Sequence, residues 1–151
     1  MRTLALNGEL PRGARRPLKT TEHNEQVAVF DWARANEYRL PALRLLHAIP
    51  NGGHRSKATA GRLKAEGVKA GVPDIFLPYP MFEPILRHGL WIEMKVKPNR
   101  PTVEQSAWLC ALAELGYSTR VCYSADEAID AIRSYLRMPG SVSREARGTH
   151  A

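Results

Sequence analysis

The stretch Gly89–Val96, GLWIEMKV, alternates two kinds of side chain at period two. Successive side chains of a strand point to opposite sides of its sheet, so Leu90, Ile92 and Met94 share one face and Trp91, Glu93 and Lys95 share the other. An acid and a base therefore stand side by side in an otherwise apolar strand. Such charges lose hydration and need partners that replace it. By itself Glu-x-Lys is most often a salt bridge on an exposed sheet face, so its neighbours decide its meaning.

The first neighbour upstream is Asp74–Leu77 (DIFL), a second short strand entered through the turn Gly71-Val-Pro. Asp74 is the natural third member of the charged group. Two carboxylates from adjacent strands can share a hard cation such as Mg²⁺, which takes oxygen ligands and keeps several waters. A lysine ammonium two residues on can orient an attacking water and offset charge developing on a phosphate.

Further out, Thr21 caps a helix with acids in its first turn, and Val27, Phe30 and Ala33 carry it to about Asn36. Leu43–Ile49 (LRLLHAI) reads as a short buried strand. Pro50-Asn-Gly-Gly is a turn, and Arg55–Glu66 a small helix stopped by Gly67. The proline-rich stretch Pro78–His88 reads as loop. Downstream, Thr102 opens a helix that ends at Gly116, with Trp108, Leu112 and Leu115 on its inner face. Trp91 is read as packing beneath a helix. Tyr117–Tyr123 is a strand, and Ser124 caps a last helix reaching about Arg137. The order is helix, strand, small helix, strand, strand, helix, strand, helix. An α/β fold follows, a mixed central sheet flanked by helices. It divides into a flexible basic arm (1–20), one folded domain (21–138) and a polar tail (139–151).

The chain has 151 residues, 22 of them basic and 15 acidic, for a net charge of +7. Two segments hold more than all of it. Residues 1–20 and residues 51–69 each carry five basic side chains against one acidic. That patterning suits a polyanionic partner, nucleic acid before others. Arg55, Lys57, Arg62 and Lys64, with the turn Asn51, Gly52 and Gly53, are the candidate phosphate contacts. His54, beside that turn, reads as surface polar. Cys110 and Cys122 read as reduced thiols, and the five histidines show no zinc-like spacing. No apolar run approaches the roughly 20 residues of a membrane span, and no signal peptide is evident. A cytoplasmic protein is expected, with no membrane and no small-molecule substrate.

The ordered set Glu25-Gln26, Asn51-Gly-Gly, Gly71-Val-Pro-Asp74, Ile92-Glu-Met-Lys95, Gln105-x-x-Trp108 and Gly116-Tyr117 resembles the VRR-NUC branch of the PD-(D/E)xK nuclease superfamily over roughly residues 22–136. The resemblance implies a restriction-endonuclease-like core. It implies Asp74, Glu93, Glu25 and the Met94 carbonyl as metal ligands, with Mg²⁺ as cofactor and Mn²⁺ as substitute. Lys95 matches the catalytic lysine, and Gln105 a glutamine that positions water or phosphate beside the site.

Stand-alone members of this branch resemble Holliday-junction resolvases. By that likeness the chain is a Mg²⁺-dependent, structure-selective DNA endonuclease acting as a homodimer on branched or four-way-junction DNA. The alternatives are a flap-cutting, nicking or other DNA nuclease, or a non-catalytic DNA-binding protein that keeps the fold.

Overall fold

A computed structural model describes residues 20–51, 56–82 and 84–137. Helix α1 (Glu22–Asn36) is followed by a 3-10 turn (Pro41–Leu45), β1 (His47–Ala48), α2 (Lys57–Ala65), β2 (Ile75–Leu77) and β3 (Leu90–Met94). Then come α3 (Val103–Glu114), β4 (Ser118–Cys122) and α4 (Ala125–Tyr135). The four strands lie in sequence order. β1–β2 and β2–β3 are antiparallel and β3–β4 is parallel, joined across the sheet by α3. This is the mixed sheet between helices that the sequence implies.

Each helix begins where a hydroxyl can take an orphan backbone N–H. Thr21, Ser56, Thr102 and Ser124 accept from the N–H of Asn24, Thr59, Gln105 and Glu127. A cap of this kind is worth about 1 kcal/mol. Gly67 and Gly116, at φ +93° and +87°, turn the chain out of α2 and α3 in a conformation that side chains resist.

The alternation of β3 is realised. Leu90, Ile92 and Met94 are buried with Ile75 and Leu77 beneath Val29 and Ala33 of α1 and Ala128 and Ile132 of α4. On the opposite face Trp91 stacks on Phe76 with ring centroids 4.0 Å apart, and Tyr117 meets both rings edge-on. Trp91 thus packs, its ring partners being Phe76 and Tyr117 rather than a helix.

Three local readings are corrected. Leu43–Ile49 is not one strand. Pro41 opens a 3-10 turn, and Leu43 and Leu46 point inward three residues apart while Leu45 is exposed, leaving only His47–Ala48 to pair. The stretch 78–88 is not wholly loop, since Met81 and Arg87 exchange two backbone hydrogen bonds at 2.9 and 2.7 Å. Leu115 is not on the inner face of α3. It is the C-cap and 67% exposed, while Leu112 is buried and Trp108 donates its indole N–H to the Ala70 carbonyl at 3.1 Å. The basic arm, apart from exposed Thr20, and the polar tail 139–151 lie outside the described residues.

Candidate active site

The register of β2 on β3 builds the site. Ile75 lies opposite Ile92 and Phe76 opposite Trp91. One further step places Asp74 beside the end of β3, and its Oδ2 accepts the Met94 N–H at 2.8 Å. Glu93 is fully buried and Lys95 nearly so, at 0% and 7% exposure. The Lys95 Nζ stands 2.8 Å from Glu93 Oε1 and donates to the Met94 carbonyl at 3.1 Å. Asp74, Glu93, Met94 and Lys95 are therefore one connected group.

Gln105 joins it from α3. Its side-chain carbonyl accepts the Thr102 N–H at 2.9 Å, closing a reciprocal capping box with Thr102. Its amide N–H donates to Glu93 Oε1. The helix cap thus holds the amide against the carboxylate.

Glu25 lies apart from this connected group. Its carboxylate accepts the Ala125 N–H at 2.5 Å, capping the start of α4. The α1 carboxylate that reaches the site is Glu22, 3.6 Å from the Lys95 Nζ. At about 100° per residue, Glu22 lies on the same helical meridian as buried Val29 and Ala33, while Glu25 is turned about 60° aside toward α4. The spacing of Glu22 to Val29 and Ala33 was the available signal, since it points one first-turn acid at the sheet.

Burial is the largest influence on Glu93 and pushes its carboxyl up to about 7; the Lys95 hydrogen bond opposes this, while the charges on Asp74 and Glu22 add to it. Burial also raises Asp74, against the Met94 N–H and Lys95, which lower it. Burial disfavours charge on Lys95, but Glu93, Glu22 and Asp74 outweigh it and raise the ammonium above its ordinary value. The site therefore holds a fixed cation among carboxyls that burial makes costly to ionise.

Among the described residues no three His, Cys, Asp or Glu side chains converge as a metal-binding group. The set is two carboxylates and a main-chain carbonyl. A small hard cation that keeps several waters needs no more protein oxygens than this. The fit is supported by Glu93 Oε2, which is buried and has no hydrogen-bond partner among the described residues. Asp74, Glu93 and the Met94 carbonyl are the groups that would hold such an ion.

Of the candidate nucleic-acid contacts, Lys57, Arg62 and Lys64 project from α2, and Arg62 also pairs with Glu66 at 3.5 Å. Asn51 donates its side-chain amide to the Val72 carbonyl at 2.5 Å, beside the segment that delivers Asp74. Gly52, Gly53 and Arg55 lie outside the described residues, as does His54. No helix among the described residues is long and apolar enough to cross a membrane.

The VRR-NUC domain family model matches residues 15–126. A solved structure described as a VRR_NUC domain protein is similar at a TM-score of 0.65 and 28% identity, over 78% of this chain and 89% of that one. Comparison with curated proteins gave no match. The mixed sheet and its helices are thus the restriction-endonuclease-like arrangement, and the protein belongs to the VRR-NUC domain family of nucleases.

Proposed function

We propose that the protein is a Mg²⁺-dependent, structure-selective DNA endonuclease that cuts branched DNA in the manner of a Holliday-junction resolvase. The observation that carries the metal reading is the orphaned, buried Glu93 Oε2 beside Asp74, in a site whose carboxyls are raised by burial. Bound Mg²⁺ supplies charge neutralisation at the phosphate, with Mn²⁺ as a substitute. Lys95, fixed by Glu93, Glu22 and the Met94 carbonyl, holds a positive charge where charge builds on the scissile phosphate and orients the attacking water. Gln105 keeps the Glu93 carboxylate aimed and offers a polar contact to water or phosphate.

Substrate choice rests on shape. Asn51, Gly52, Gly53, Arg55, Lys57, Arg62 and Lys64 serve as backbone contacts, which position DNA without reading its sequence. One chain carries one site, and paired cuts across a four-way junction need two sites related by a two-fold axis, so a homodimer is the working form.

The test is a panel of labelled duplex, flap, splayed-arm and four-way-junction DNAs incubated with Mg²⁺ or Mn²⁺, with light scattering on the same samples. Preferred, paired cutting of the four-way junction by a dimer is expected. A monomer with and without DNA, or equal cutting of linear duplex, overturns the resolvase reading.

A further inference from the structure

Helix α2 stands off the body of the domain, and none of its residues is buried. Between it and residues 67–70 lies a groove of about 810 Å³. Ala60, Leu63 and Val68 give it an aliphatic wall, Lys64 and Lys69 stand on its rim, and Asn51 lies at one end. A smaller hollow of about 250 Å³ shares Asn51, Val68 and Lys69 and continues to Trp108.

One end of the groove is tied to the segment that delivers Asp74. Asn51 is bonded to the Val72 carbonyl at 2.5 Å, and the Ile49 N–H donates to the Asp74 carbonyl at 2.7 Å. Val72 is two residues from Asp74, about 7 Å of extended chain. That is a reach of the order of one nucleotide.

Phosphate binding accounts for the lysines but not for the hollow. A phosphate is strongly hydrated and gains nothing from an aliphatic wall, whereas the flat face of a nucleobase loses unfavourable contact with water there. The lysines are placed to hold the phosphates on either side of such a base.

We propose that this groove lodges one unstacked nucleobase of the strand whose phosphate lies at Asp74 and Glu93, which rests on the endonuclease reading above. The enzyme then acts where a nucleotide next to the cut is unpaired or easily unpaired, because extruding a base is least costly there. Selectivity comes from the energy of unpairing. An aliphatic wall reads few base edges, so sequence preference at that position is weak.

The test uses the full chain carrying Lys95→Met to prevent cutting, with 2-aminopurine placed in turn at each nucleotide flanking the cut in a four-way junction. This base brightens when it leaves the stack, and the aliphatic wall does not quench it. A severalfold rise confined to one position is expected. Val68→Met and, separately, Ala60→Leu fill the groove from surface positions with side chains that do not quench the probe, and each should sharply lower that rise while DNA binding, followed by anisotropy, persists. DNA bound with no position brightening overturns the inference, as does brightening that both filled variants retain. A changed oligomeric state in those variants without loss of brightening would assign the groove to a second chain and also overturn it. A wild type that cuts the junction while its Lys95→Met form shows no brightening sinks this inference alone. A wild type that neither binds nor cuts any DNA sinks the endonuclease reading beneath it.

Discussion

The Oδ2 of Asp74 accepts the backbone N–H of Met94 at 2.8 Å, so the residue that opens the β2 segment latches the end of β3. The latch fixes the main chain between Glu93 and Lys95, and its two functions separate by substitution. Asp74→Asn keeps an acceptor for Met94 and should leave stability within about 1 kcal/mol while lowering cleavage by at least about 100-fold. Asp74→Ala leaves the Met94 N–H unpaired and should cost a further 1–3 kcal/mol or so in urea unfolding. Equal stability of the two variants contradicts the latch.

Glu22 and Glu25 should respond in opposite ways. Glu22→Gln removes a carboxylate from beside Lys95, and cleavage should fall about tenfold or more with little change in melting temperature. Glu25→Ala removes the cap on the Ala125 N–H, and should cost about 1 kcal/mol while cleavage by folded protein is kept. Loss of cleavage in Glu25→Ala at wild-type stability would return Glu25 to the catalytic group.

Gln105 has one job in the helix and one in the site. Gln105→Glu retains the side-chain oxygen that caps Thr102 but turns a donor to Glu93 into a second negative charge. Its helix content by circular dichroism should match wild type, while cleavage falls by about 10-fold or more. Wild-type cleavage in this variant would mean that the contact with Glu93 does not matter.

Acid should stabilise the metal-free protein. Glu93 holds its proton to about pH 7 when folded, against 4.5 for its ordinary value. Between those values the folded state binds more protons than the unfolded one. The contribution is fully present below 4.5 and is lost as pH rises through about 7, on the order of 3 kcal/mol from Glu93. Asp74, also raised, adds in the same direction. In chelator the melting temperature should therefore fall from about pH 5 to about pH 8, and added Mg²⁺ should restore more at the higher pH. A flat metal-free profile would contradict the burial of Glu93.

How much of this was legible follows from where each signal is local. The alternation of GLWIEMKV fixed both faces of β3, and Thr21, Thr102 and Ser124 marked three of the four helix starts, because caps and pleats act within a few residues; the fourth cap, Ser56, lies one residue inside the stretch read as helix. Leu43–Ile49 misled because an apolar run does not distinguish period two from the period three of a 3-10 turn, and Pro41, which opens that turn, stands two residues before the run. Asp74, Glu93 and Lys95 were visible as a group since strand register couples them. Glu22 was missed although it stands seven and eleven residues before Val29 and Ala33, because the inner face of α1 was read from Val27, Phe30 and Ala33, and Val27 is exposed. The groove beside α2 could not be read at all, as it depends on how the chain after Gly67 folds back along the helix.

The most direct measurement is the initial rate of four-way-junction cleavage against Mg²⁺ concentration, for wild type and Glu93→Gln side by side. A hydrolytic metal site at Glu93 predicts no cutting in chelator, a saturable rise for wild type, and a rate at least about 100-fold lower for Glu93→Gln at every concentration. Cleavage by wild type in chelator, or matching curves for the two proteins, would contradict it.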